Sequence, residues 1–215
     1  MAYRTLGDMR AELIRRLGYG AAGASAGVIS ATVDSFLYNA HVQIYWATDW
    51  KRLRKYADKT LGVDQYLLDY PEDANPERIK AIWVNVSGVW QEVKKGISEQ
   101  DYTYQDNNSW PARYEEYAQI EVLPKSDAVY TVRIWYIQDL TRFSQDGDRS
   151  LVDDDLVFLH ALANAKLHYK QPDGQVYQGQ LESLLAKLKK NSWTQRVFPS
   201  NNSENLAPLS KPVVV

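Results

Sequence analysis

The side chains able to do chemistry are few and poorly spaced for it. Three histidines occur, at His41, His160 and His168. His160 and His168 are eight apart and can share a helix face. A metal pair on a helix usually sits four apart with a third ligand elsewhere, so both read as ordinary helix residues. Asp153, Asp154 and Asp155 invite a metal reading. At the start of a helix, complementarity to the helix dipole accounts for them without one. Glu115 and Glu116 are neighbours in an extended stretch, so they point to opposite faces and do not share a site. GYGAAG, residues 18–23, resembles a nucleotide loop, but no strand precedes it. P-loop and HExxH patterns do not occur. There is no cysteine, which removes disulfides, thiolate catalysis and cysteine-bound metals. We therefore expect no catalytic residue, no cofactor and no metal ligand.

The basic run KRLRK, residues 51–55, stands between Trp50 and Tyr56. A nucleic-acid patch and a solvated strand entry both fit it. The net charge of −2 argues against a protein whose main work is gripping phosphates, because such domains are usually strongly basic. It is compatible with DNA passing nearby without being held.

These groups must be positioned by a chain of 215 residues, which suits one domain with an insertion. Its 45% hydrophobic and 24% charged residues suffice for a sizeable core. The N-terminal stretch MAYRTLGDMRAELIRRLG carries charges throughout and lacks the apolar core of a signal peptide. No apolar run approaches a membrane span, so no membrane partner is expected. The aromatic usage is skewed, with 7 Trp and 15 Tyr against 4 Phe. Of these, 4 Trp and 9 Tyr fall within residues 51–140, which points there for surfaces buried against a partner.

Helical spacing predicts a first helix capped by Thr5 with Asp8 in its first turn. A longer one opens at Ser30 or Thr32 and ends near Trp50, with Val33, Phe36, Leu37, Ala40, Ile44 and Ala47 on one face. From residue 51 the period changes to two. Strands are expected at Arg54–Leu61, Gln65–Tyr70, Ile79–Asn85, Val89–Val93 and Arg113–Gln119, with a tight turn at Ser87-Gly88. QIEVLPKSDAVYTVRIWYI, residues 119–137, alternates on both sides of a short polar stretch and predicts a β-hairpin. In its second strand Tyr130, Val132, Ile134 and Tyr136 share one face. Helix returns from Asp153 to about Tyr169, and a last helix carries Tyr177, Leu181, Leu184, Leu185 and Leu188.

From Asn191 the periodicity fails. Pro199, Pro208 and Pro212 break any regular element. Trp193, Phe198, Leu206, Leu209 and Val213, Val214 and Val215 recur as separated apolar anchors, which suits a segment that orders on a partner.

The order of these features resembles a family. A short helix, a glycine-rich loop and a long helix precede GVDQYLLDYPEDANPERIKAIWV. WPARYEEYAQIEVLPKSDAVYTVRIWYIQDLTRFSQDGDRSLVDDDLVFLHALANAKL follows. Over residues 5–190 this looks like the phage head–tail connector adaptors, the group that includes portal-adaptor and tail-tubular proteins. The resemblance implies an α+β fold: an antiparallel helical bundle of about four helices with a small antiparallel β-domain inserted, and an extended C-terminal tail. The expected parts are a bundle of residues 1–50 plus 150–190, an inserted β-domain of 51–140 and a docking tail of 191–215. It implies a non-enzymatic virion protein, made in the bacterial host's cytoplasm. Such proteins form a ring, usually of twelve copies, under the portal, where they extend the DNA channel. The expected partners are the portal, the next tail component (a stopper, nozzle or tail-tube protein) and neighbouring copies. Trp90, Trp110 and Tyr114 are the expected contact residues in the β-region, and the anchors after residue 191 are expected to dock on the portal. Two rivals remain: a carbohydrate- or receptor-binding tail module using the aromatic β-region, and a connector-associated cell-wall hydrolase using two carboxylates.

Overall fold

In the computed structural model, residues 4–19, 26–103 and 108–192 are described. The elements are α1 (Leu6–Arg16), α2 (Ala26–Trp46), β1 (Arg54–Leu61), β2 (Leu67–Leu68), β3 (Ala74–Val86), β4 (Val89–Lys95), α3 (Glu99–Thr103), β5 (Arg113–Glu116), β6 (Ile120–Leu123), β7 (Tyr130–Gln138), α4 (Asp154–His168) and α5 (Gly174–Ser192).

Helix starts follow local chemistry. Thr5 and Asp8 form a capping box: the Asp8 N–H donates to Thr5 Oγ1 at 3.2 Å, and the Thr5 N–H donates to Asp8 Oδ2 at 3.1 Å. Asp153 caps α4 by accepting from the Leu156 N–H at 3.1 Å. Asp154 accepts from the Arg4 N–H, and Asp155 pairs with the Arg4 guanidinium. The acidic triplet is thus occupied by backbone and arginine. α2 begins four to six residues earlier than periodicity predicts and ends about four residues earlier. Its last carbonyls are taken over by side chains: the Trp50 indole donates to the Ile44 carbonyl at 2.9 Å, and Arg78 donates to the carbonyls of Tyr45 and Thr48. Those bonds satisfy the helix end without a further turn.

The expectation of a helical bundle with a small inserted β-domain is wrong. The molecule is a mixed α+β protein with, among the described residues, five α-helices and a seven-stranded sheet in the order β1-β7-β3-β4-β5-β6-β2. The edge strands β1 and β2 approach one another, so the sheet curls into a nearly closed, barrel-like form. Nor is it purely antiparallel, because β4 and β5 run parallel. The physical reason lies in strand length. β3 spans 13 residues and β7 spans 9, and long twisted strands coil until one face of the sheet encloses its own interior. Leu61, Ile82, Val84, Tyr114, Ile120, Val122, Val132 and Ile134 fill it as a core of their own. A second core lies among the helices, built on Met9, Leu13, Leu37, Ile44, Leu156 and Leu162. Ile137 and Leu53 belong to that helical core and carry it to the end of the sheet. The extended tail at 191–215 falls almost wholly outside the described residues.

The predicted hairpin over 119–137 also fails. β6 pairs with β5 and β2, whereas β7 pairs with β1 and β3. The link between them is held away by Ser126, which is fully buried and whose hydroxyl donates to the carbonyls of Gly62 and Gln65. The turn at Ser87-Gly88 does form. Both residues have positive φ, 53° and 86°, the geometry of a two-residue hairpin between Val86 and Val89.

The two layers are bolted where β3 meets α2. Arg78 is buried, and besides its two carbonyl partners it pairs with Asp49 Oδ1 at 2.6 Å. Burial pushes the Asp49 carboxyl up, but Lys80 and Arg78 outweigh it and hold the group below the usual carboxylate range.

Candidate functional site

The outward face of the sheet gathers the aromatic residues. Because side chains alternate along a strand, the inward set Val132, Ile134 and Tyr136 on β7 leaves Thr131, Arg133 and Trp135 outside. Register then sets their neighbours. Tyr56 lies opposite Trp135 and Asp58 opposite Arg133 on β1. Trp83 lies opposite Arg133 on the β3 side, and Trp90 on β4 lies opposite Asn85.

Arg133 is the centre of this face. Its guanidinium lies 4.4 Å from the Tyr56 ring centroid and 4.4 Å from that of Trp90. It also forms a two-pronged ion pair with Asp58, Nε to Oδ1 at 2.7 Å and Nη2 to Oδ2 at 2.8 Å. The hydrogen bonds from Arg133 hold the Asp58 carboxyl below the usual carboxylate range. Tyr56 and Trp135 meet at 4.9 Å between centroids. Tyr56 is 53% exposed and Trp135 37%, while Trp83 and Trp90 are half-buried. Large apolar rings are thus held by cross-strand neighbours and an arginine while still facing solvent. Tyr, Trp and Arg are the types enriched at protein interfaces, and holding them in place lowers the entropy lost on association.

Of the residues expected at an interface, Trp90 belongs to this face. Trp110 packs against the sheet core as a half-buried residue. Tyr114 is 4% exposed inside that core, where burial and the nearby Glu116 push its hydroxyl up to about 12. Trp193, Phe198, Leu206, Leu209, Val213, Val214 and Val215 lie outside the described residues.

The groups weighed for chemistry are drawn into packing. His41 stacks on Phe143 at 4.2 Å, and burial lowers its pKa to about 4. His160 is also lowered by burial. His168 sits edge-on to Phe36, so the two α4 histidines do not converge. Glu116 pairs with Lys95 at 2.6 Å. The basic run is split: Arg52 donates to the Leu151 carbonyl at 2.5 Å and Lys55 pairs with Asp73 at 2.7 Å. Among the described residues no group of three or more His, Asp or Glu is placed to hold a metal ion, and no helix is long and apolar enough to cross a membrane.

Sequence reasoning places Tyr56 only beside the basic run, and does not single out Trp83, Arg133, Asp58 or Trp135 as contact residues. The signal was present in RIWYI, where the outward residues are an arginine and a tryptophan. Their neighbours across the sheet come from strands up to 79 positions distant, Tyr56 to Trp135, and no local pattern reports that (135 − 56).

A model of the family described as SU10 adaptor protein matches residues 4–204. No curated protein matches the chain.

Proposed function

The chain belongs to the SU10 adaptor protein family, a family of phage adaptors, and from this we propose that it is a structural head–tail connector of a tailed bacteriophage. In this reading it forms a ring of twelve copies beneath the portal. The ring extends the DNA channel and joins the capsid to the next tail component. The role is structural rather than catalytic.

The observation that carries the reading, beyond the family, is the fixed aromatic face around Arg133. A connector needs surface already shaped before assembly, because each contact is repeated around the ring and ordering costs are paid at every copy. Residues 51–140 act as the contact-making unit, through Trp90 together with Tyr56 and Trp135. Residues 191–215 dock on the portal or on an adjacent copy through Trp193, Phe198, Leu206, Leu209 and Val213–Val215. A net charge of −2 keeps passing DNA from adhering.

Electron microscopy of the purified protein mixed with its portal tests this. A ring of copies on the portal's tail-facing end is the expected image. Absence of complex, with specific binding to a cell-surface glycan instead, would favour a receptor-binding tail module.

A further inference from the structure

The helical layer carries a second surface. Tyr38, Val42 and Trp46 follow at four-residue spacing along α2 and are exposed. Beside them α2 and residues 140–143 enclose a pocket of about 460 Å³, lined by Tyr38, Asn39, His41, Val42, Arg142 and Phe143 among others. His41 and Arg142 are among its polar groups without a partner among the described residues. The His41 side chain is 1% exposed and its Nε2 makes no hydrogen bond. Arg142 has neither a hydrogen bond nor an ion pair among the described residues.

The buried one points to a ligand, and the exposed Arg142 is free to contact it. A buried polar atom without a partner is uncommon in a folded chain and marks a place where a bound group can supply one. A guanidinium beside aromatic rings suits a carboxylate, which it can take in two parallel hydrogen bonds. The stripe suits apolar side chains. A single cation against apolar rings, on a chain of net negative charge, does not suit a polyanion, whose binding is built from many phosphate contacts.

We propose that this pocket and stripe dock an acidic–apolar segment of a partner protein, with its carboxylate on Arg142 and its apolar side chains on Tyr38 and Val42. The site is separate from the aromatic face of the sheet and stands or falls independently of the role assigned to that face.

Selection of a displayed random peptide library against the full-length protein tests it. The enriched peptides should carry Asp or Glu close to Phe, Leu or Trp. Their affinity should drop about tenfold or more with Arg142→Gln and with Val42→Asp, as expected for loss of a charge-assisted pair or of an apolar contact. Both positions are at the surface, and an unchanged unfolding midpoint verifies that the variants fold. Failure to enrich, enrichment without acidic residues, or equal binding to Arg142→Gln would overturn the proposal. Two further outcomes would also overturn it by assigning another occupant. One is displacement of the peptides by a synthetic peptide of residues 204–215. The other is a change in oligomeric state in dilute solution caused by Arg142→Gln, which would point to a second copy of the chain.

Discussion

Arg78 of β3 holds Tyr45 of α2 twice: its Nη1 donates to the Tyr45 carbonyl at 3.0 Å, and its guanidinium lies 4.7 Å from the Tyr45 ring centroid. With the bonds to the Thr48 carbonyl and Asp49, one side chain of the sheet closes the end of a helix. Replacing it by Met keeps much of the volume and removes every donor. The buried carbonyls are then left unpaired, whereas Asp49 keeps Lys80 as a partner. Arg78→Met should lower unfolding free energy by about 3 kcal/mol. Arg78→Lys should recover only part of it, because an ammonium does not reproduce the planar fork. Denaturant titration measures both, and wild-type stability in Arg78→Met would show that the bolt contributes nothing net.

His41 and His160 set a pH dependence. Both have pKa values lowered in the folded chain, His41 to about 4, against an ordinary 6.5. The unfolded chain therefore takes up protons that the folded one refuses. Stability should be full above pH 6.5 and fall as pH drops towards 4, by up to about 1.4 kcal/mol per pH unit for His41, with His160 adding in the same direction. The lowered aspartates, such as Asp58, add their loss only at lower pH, as their own folded values are approached. Unfolding titrations between pH 7.5 and 4.5 check the sign. His41→Phe should flatten the curve in that window.

Trp90→Ala and Trp135→Ala remove rings from the outer sheet face. Under the connector reading each should weaken assembly with the portal or tail partner by tenfold or more, on the order of the 1.4 kcal/mol that a contributing interface aromatic exceeds. Far-ultraviolet circular dichroism should stay unchanged. Pull-down with purified partner and circular dichroism on the same samples separate the two effects. A lost helical signal would make these residues structural instead.

Deleting residues 205–215 should leave the thermal midpoint of the free protein unchanged and weaken its attachment to the portal. Differential scanning calorimetry and a portal-binding assay decide it. A truncated protein that binds as tightly as the intact one removes the docking role, and one that fails to fold moves the segment into the protein's own core.

In dilute solution without portal, the protein should run as a monomer by light scattering, because the chain carries no long heptad seam to hold copies together. A stable ring formed alone would remove the need for a template.

Much of the local structure was legible. Thr5 with Asp8, Asp153 before α4, and Ser87-Gly88 each declare their element through hydrogen bonds made within a few residues. Strand β1 was read with its observed bounds, Arg54–Leu61. What escaped was pairing. IEVL and YTVRIWYI look like partners because they are adjacent, yet Ser126 ties the link between them to the turn after β1. The curl of the sheet escaped for the same reason, since it arises from accumulated twist rather than from any residue type. The aromatic face followed pairing, so Trp90 was found as a single tryptophan, while Arg133 and the place of Tyr56 beside it were not.

The pairing of β1 with β7 has a consequence during synthesis. β1 is an edge strand whose ladder is made with β7 alone, and β7 is complete only at Gln138. At about 5–20 residues per second, the 77 residues between Leu61 and Gln138 take roughly 4–15 s to emerge (138 − 61). For that interval β1 waits at the ribosome with both edges open, while the neighbouring β3–β4 hairpin can already close. Its sequence, RKYADKTL, suits the wait: Arg54, Lys55, Asp58 and Lys59 place charge along the strand and discourage pairing with another nascent copy.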